Sequence, residues 1–113
     1  MPGPGPRDHA GGPECDDVDR ALLAAGRGDQ DAFARFYDAT SAHVFSLALE
    51  IVHGREACED LALESYVEAW RTAPTFDRAH CSAMTWLTMH VLRQTPVRLA
   101  LNAARTARDE NPD

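Results

Sequence analysis

Residues 55–73 contain neither glycine nor proline and consist mostly of good helix formers. This stretch, with DLALESYVEAW from Asp60 to Trp70 at its heart, has to be a helix, and its two faces decide what surrounds it. At about 100° per residue, Cys58, Leu61, Ala62, Ser65 and Ala69 fall on one side, all small enough for close helix packing except Leu61. Leu63, Tyr66, Val67 and Trp70 fall roughly opposite, beside an acidic row of Glu56, Asp60, Glu64 and Glu68 at four-residue steps. An ordinary surface helix has one apolar stripe and one polar face. Apolar groups on both sides place a helix at the centre of a bundle or commit one side to a partner. The carboxylates must stay wet or be paired. Large apolar groups beside them therefore point to a docking face for a basic, partly apolar surface. Packing of Tyr66 and Trp70 beneath a neighbouring helix is the plainer alternative.

The rest of the chain reads as helix too, with no strand and no internal repeat. Met1 to Asp17 holds four prolines and four glycines and has no means of burying a core, so it is expected to be a flexible tail. A first helix runs from Asp17 or Val18 to Ala25, with Leu22 and Leu23 apolar. The run GRGD at 26–29 stops it, and Asp29 can cap the next. From Gln30, Phe33, Phe36, Tyr37, Val44, Ala48, Ile51 and Val52 recur near helical period, with Thr40 and Ser41 as an interruption that would make two helices in line. Gly54 ends that element, and Ala73-Pro74 ends the acidic helix at Thr72. After a loop over Thr75 to Cys81, Ser82 can cap a helix from Ala83 whose buried face carries Met84, Leu87 and Val91, with Trp86 off it. Because a mid-helix proline costs about 3 kcal/mol, Pro96 is read as the first turn of a further helix capped by Thr95 and ending near Thr106. The expectation is an all-α protein: a small three- to four-helix bundle over residues 18–106, between the 1–17 tail and a frayed 107–113 end.

Charge and cysteine usage narrow the function. The net charge is −7, and the cations are all arginine. A negative total argues against unspecific nucleic-acid binding by the whole chain. The charges are not evenly spread: residues 54–70 hold five acids and one Arg, residues 71–108 six Arg and one Asp. That layout suits one protein partner and one anionic partner. Cys15, Cys58 and Cys81 give no CxxC and no disulfide framework. The pairs His53/Cys58 and His80/Cys81 have no convincing metal-ligand spacing, so no metal or other cofactor is expected. No apolar run reaches the length of a membrane span and the N-terminus has no signal pattern, so the expected compartment is the cytoplasm. There is no catalytic constellation at a persuasive spacing and no phosphate loop. The four-residue carboxylate steps lack the Glu-x-x-His partner of a di-metal bundle. An enzyme is not expected.

Three blocks in order, GDQDAFARFYDATSAHVFSLAL, DLALESYVEAW and FDRAHCSAMTWLTM, resemble region 2 of the extracytoplasmic-function sigma factors of bacteria. The family pattern is close to G-D-x-x-A-F-x-x-L/F-Y, then D-L/V-x-Q-E-x-F/Y-L/V-x-x-W, then F-D-x-x-x-G-S-x-x-x-W-L. The resemblance covers roughly residues 20–92. It implies docking of the Asp-Leu helix on a coiled coil of the largest subunit of RNA polymerase core, through Asp60, Leu63, Glu64, Tyr66 and Trp70. It also implies contacts to the unpaired promoter −10 element through Phe76, Asp77, Arg78, His80, Ser82 and Trp86, where flat side chains suit unstacked bases. Promoter DNA and an anti-sigma factor are the further partners it admits.

The departures are specific. Leu63 stands where the family has Gln, and Cys81 where it has Gly, a position whose backbone could require positive φ. After Leu87 the run HVLRQTPVRLALNAAR lacks the family's Asp and most of its base-contacting cations, and the family's region 4 is absent from the sequence. Three readings follow. One is a sigma-like module that docks on polymerase and takes part in transcription initiation. The second is a sigma mimic that reads no DNA and occupies an anti-sigma factor or the polymerase docking site. The third is a decayed, inert paralogue.

Overall fold

The computed structural model describes residues 17–110, and the 1–16 and 111–113 parts of the expected tails lie outside the described residues. The protein is all-α: α1 (residues 17–26), α2 (Gln30–Ile51), α3 (Arg55–Thr72), a short 3-10 turn (Ala73–Thr75) and α4 (Ala83–Glu110). Local chemistry sets most of these ends. Asp29 caps α2 by accepting from the Ala32 amide at 3.0 Å. The amides of Arg27, Gly28 and Asp29 close onto the last carbonyls of α1, and Gly28 takes the positive φ (96°) that this reversal needs. Ser82 caps α4 by accepting from the Thr85 amide at 3.1 Å. Gly26 serves a different purpose: a Cβ there would lie 2.9 Å from the Ala73 carbonyl oxygen, so only glycine lets α1 approach the end of α3 so closely.

α3 lies at the centre, packed against both α2 and α4. Its small face is buried throughout: Ala57, Cys58, Leu61, Ala62, Ser65 and Ala69. The Ser65 hydroxyl donates to the Leu61 carbonyl at 2.8 Å, which lets a polar residue sit in the core without an unmet bond. Phe36, Val44 and Ala48 of α2, Leu22 of α1, and Leu87 and Val91 of α4 close the core around it.

Two helix boundaries differ from expectation. α2 is one helix, not two. Thr40 is fully buried, donates its hydroxyl to the Phe36 carbonyl at 2.8 Å and accepts from the Tyr66 hydroxyl at 2.6 Å. With its polar group satisfied inside the helix, it has no reason to break it. α4 likewise runs unbroken through Pro96 to Glu110. Thr95 is not a cap; its hydroxyl donates back to the Val91 carbonyl at 2.8 Å. Beyond Pro96, α4 carries a side chain anchored across the bundle, described below.

His90 adds a pH dependence. Its ring is buried beside Trp86, with Nε2 at 3.2 Å from the Thr72 hydroxyl and Nδ1 without a partner. The Thr72 hydroxyl donates to the Glu68 carbonyl, so it accepts from an Nε2–H, and the neutral ring fits the site. Burial pushes the His90 pKa below its usual value, and Arg93 and Arg71 act in the same direction against Glu68. A depressed folded pKa means that the unfolded chain takes up the proton first. Stability is therefore full above about pH 6.5 and falls as the pH drops toward the folded value. Urea unfolding between pH 7.5 and 5 should show this decline, and His90→Gln should flatten it. An equal decline in His90→Gln would place its origin elsewhere.

Candidate functional site

The acidic helix presents its outer face as the residues predict, with one exception. Leu63, Val67 and Trp70 are exposed at 64%, 55% and 37%, a row of large apolar groups on the most central helix of the fold. Exposed apolar residues grouped along one helix face are the usual mark of an interaction surface. Trp70 leans edge-on against Phe33 of α2, with ring centroids 5.1 Å apart, and so is held in place. The exception is Tyr66. It turns inward, buried among Phe33, Phe36 and Tyr37, with its hydroxyl on Thr40. Burial raises its pKa to about 12. Tyr66 thus shapes the face from beneath and is not part of it.

The carboxylates of the acidic row are paired, not simply wet. Arg98 of α4 places its guanidinium on Glu64 through Nε (3.4 Å) and Nη2, and on Asp60 through Nη1 (3.5 Å). Arg98 is 6% exposed. Glu68 is held by Arg71 at 2.7 Å, and Glu56 reaches Arg105 only at 4.0 Å, in a solvated pair that contributes little. Arg98 carried no signal in the sequence, where it reads as one of several arginines in a basic run. Its partners lie far back along the chain, and no periodicity connects them.

The loop from Phe76 to Ser82 divides into a structural half and an exposed half. Phe76 is buried against Trp86 (5.7 Å between ring centroids), and Ser82 is occupied as the α4 cap. Asp77 accepts from the Ala79 amide at 2.9 Å and sits 3.2 Å from His80. Arg78 approaches Asp19 of α1 at 3.8 Å. Asp77, Arg78 and His80 are exposed and Ser82 and Trp86 are half-buried, so of the six predicted contacts only Phe76 is closed to solvent or a ligand. The backbone at Cys81 has no positive φ, as is true of every non-glycine residue described. Replacement of glycine there costs the loop nothing in backbone geometry. Asp19, a residue that the sequence reading passed over, is buried and accepts from the Ala83 amide at 2.7 Å. It ties the start of α4 to α1.

The comparisons converge on one family. The description "Sigma-70 region 2" matches residues 36–108. A sigma factor of Mycobacterium ulcerans, "ECF RNA polymerase sigma factor SigK", is 33% identical over 94 residues, covering 83% of this chain and 50% of the relative. The protein of the same description from Mycobacterium tuberculosis H37Rv is 34% identical over 93 residues, covering 82% and 50%. That from Mycolicibacterium vanbaalenii is 29% identical over 93 residues, covering 82% and 47%. The chain spans about half the length of the curated relatives it matches. No solved structure matches it.

Proposed function

We propose, from the premise that this chain belongs to the sigma-70 region 2 family, that it docks on RNA polymerase core through the outer face of α3 and takes part in transcription initiation. The family is one of transcription factors, not of enzymes. The observation that carries the proposal is the exposed row Leu63, Val67 and Trp70 beside Asp60 and Glu64, on the helix that holds the family's docking motif. That combination fits a helical surface with both apolar and basic side chains, as a coiled coil of the largest subunit would offer. Acting with polymerase, the chain would belong in the cytoplasm, and among the described residues no helix is long and apolar enough to cross a membrane.

Contact with the −10 element is the finer part of the proposal. Arg78 and His80 are exposed on the loop and Trp86 offers part of its ring beside them, which supports cation contact with phosphate and stacking of an unpaired base. Against this, Phe76 is buried in the core and the Ser82 hydroxyl is occupied as the α4 cap, although Ser82 itself is half-exposed. That commitment favours the second reading, a mimic that binds an anti-sigma factor or blocks the docking site without reading DNA.

Fluorescence titration of the labelled chain with purified bacterial polymerase core tests the first claim, and addition of single-stranded −10 DNA to the complex tests the second. Trp86→Ala should weaken DNA capture by roughly five- to a hundredfold, the usual range for loss of one stacking platform. A folded Trp86→Ala chain with unchanged DNA affinity would leave the mimic reading in place.

A further inference from the structure

The contact between Arg98 and the acidic row goes beyond docking as such, although the inference rests on the docking reading above. In α4 between Leu92 and Arg105, Arg98 is the only buried residue, while its neighbours Val97 and Leu99 are exposed. An amphipathic helix ordinarily does the opposite, so something other than apolar burial holds this segment down. The side chains differ sharply in depth. That of Arg98 is 8% exposed, whereas those of Asp60 and Glu64 are 35% and 34% exposed. The cation lies beneath, and the carboxylates stand above it with part of their surface in solvent.

Two carboxylates four residues apart on one helix repel each other. A shared guanidinium from below removes that repulsion and fixes both side chains. Arg98 engages both oxygens of Glu64 and Oδ2 of Asp60, and since each carboxylate oxygen has two lone pairs, acceptor capacity remains on the solvent side. Two carboxylates and one guanidinium leave a single net negative charge facing outward, beside Leu63 and Val67.

We propose that Arg98 is a positioning residue for the docking face: it holds Asp60 and Glu64 so that the lone pairs it leaves open on the solvent side meet a basic side chain of the partner, and it stays in place when the partner binds. Displacement is disfavoured because it would leave a buried guanidinium unpaired, which costs more than an exposed pair returns. The unbroken course of α4 through Pro96 delivers Arg98 to this position.

The test is affinity for purified bacterial polymerase core, measured on the full chain, with circular dichroism confirming helix content. Arg98→Met should weaken binding at least tenfold. Arg98→Lys, which returns a cation beneath the carboxylates without the two-pronged fork, should recover most of that loss, a rescue that loss of packing alone would not give. If Arg98→Met does not fold, the lysine variant decides the matter: affinity within threefold of wild type supports the proposal, and a tenfold or greater loss in a folded lysine variant overturns it. A folded Arg98→Met chain that binds as well as wild type overturns it, and tighter binding would show that Arg98 masks the carboxylates. Failure of the wild-type chain to bind core would remove the docking reading itself, and would be seen before any variant is made.

Discussion

Phe36→Ala is expected to destabilise the fold by about 3–5 kcal/mol. The ring is fully buried, 5.7 Å from Phe33 and 6.3 Å from Tyr66 between centroids, and fills the space between α2 and α3. Its neighbours have little freedom to collapse into a cavity. Tyr66 is tethered to Thr40 by its hydroxyl, and Thr40 is tethered to the backbone of Phe36 itself. A site that relaxes poorly pays both the lost transfer energy and the cavity. Against a total stability of about 5–15 kcal/mol for a domain of this kind, that loss is a large fraction and would bring a domain at the low end of the range close to unfolding. Urea titration followed by helical circular dichroism measures it. A loss below about 1 kcal/mol would mean that the α2–α3 seam can close over the gap, and that the aromatic cluster is not the close-packed centre described here.

Leu63→Arg should leave stability within about 0.5 kcal/mol of wild type and reduce binding to polymerase core on the order of a hundredfold. Leu63 is exposed, so its replacement breaks no internal contact. What changes is the surface: an apolar anchor becomes a cation facing a partner expected to be basic. Leu63→Gln, which restores the family's residue, should bind at least as well as wild type. Asp60→Arg looks like the more direct test from sequence. It would set a second guanidinium against Arg98, now 3.5 Å from the Asp60 carboxylate, and so would confound docking with folding. Titration with core, alongside unfolding curves for each variant, separates the two effects. Wild-type affinity in Leu63→Arg would exclude the outer face of α3 as the docking surface.

The helix ends were legible because their causes are local. Asp29, Ser82 and the glycine at 28 act on amides within a few residues of themselves, and the sequence displays them side by side. The small face of α3 was legible for the same reason, since period alone places Cys58, Leu61, Ala62, Ser65 and Ala69 together. So was the exposed row of Leu63, Val67 and Trp70, apart from Tyr66 at its edge. Tyr66 sits where a small rotation moves a side chain from surface to core, and Thr40 supplied the inward hydrogen bond.

The sequence by itself determined an all-α fold, the position of its central helix and the two-sided character of that helix, because helical period and capping are properties of neighbouring residues. Tertiary structure alone decided where the polar groups end up. Arg98 finds Asp60 and Glu64, Asp19 finds the amide of Ala83, and Tyr66 finds Thr40, each across a wide gap in the chain. Buried polar groups must be paired wherever the fold brings a partner within reach. The choice of partner is a matter of distance in three dimensions, which no local pattern records. At Pro96 too, the cost is a local quantity that the sequence shows, whereas the unbroken course of α4 and the anchored Arg98 beyond it belong to the folded bundle.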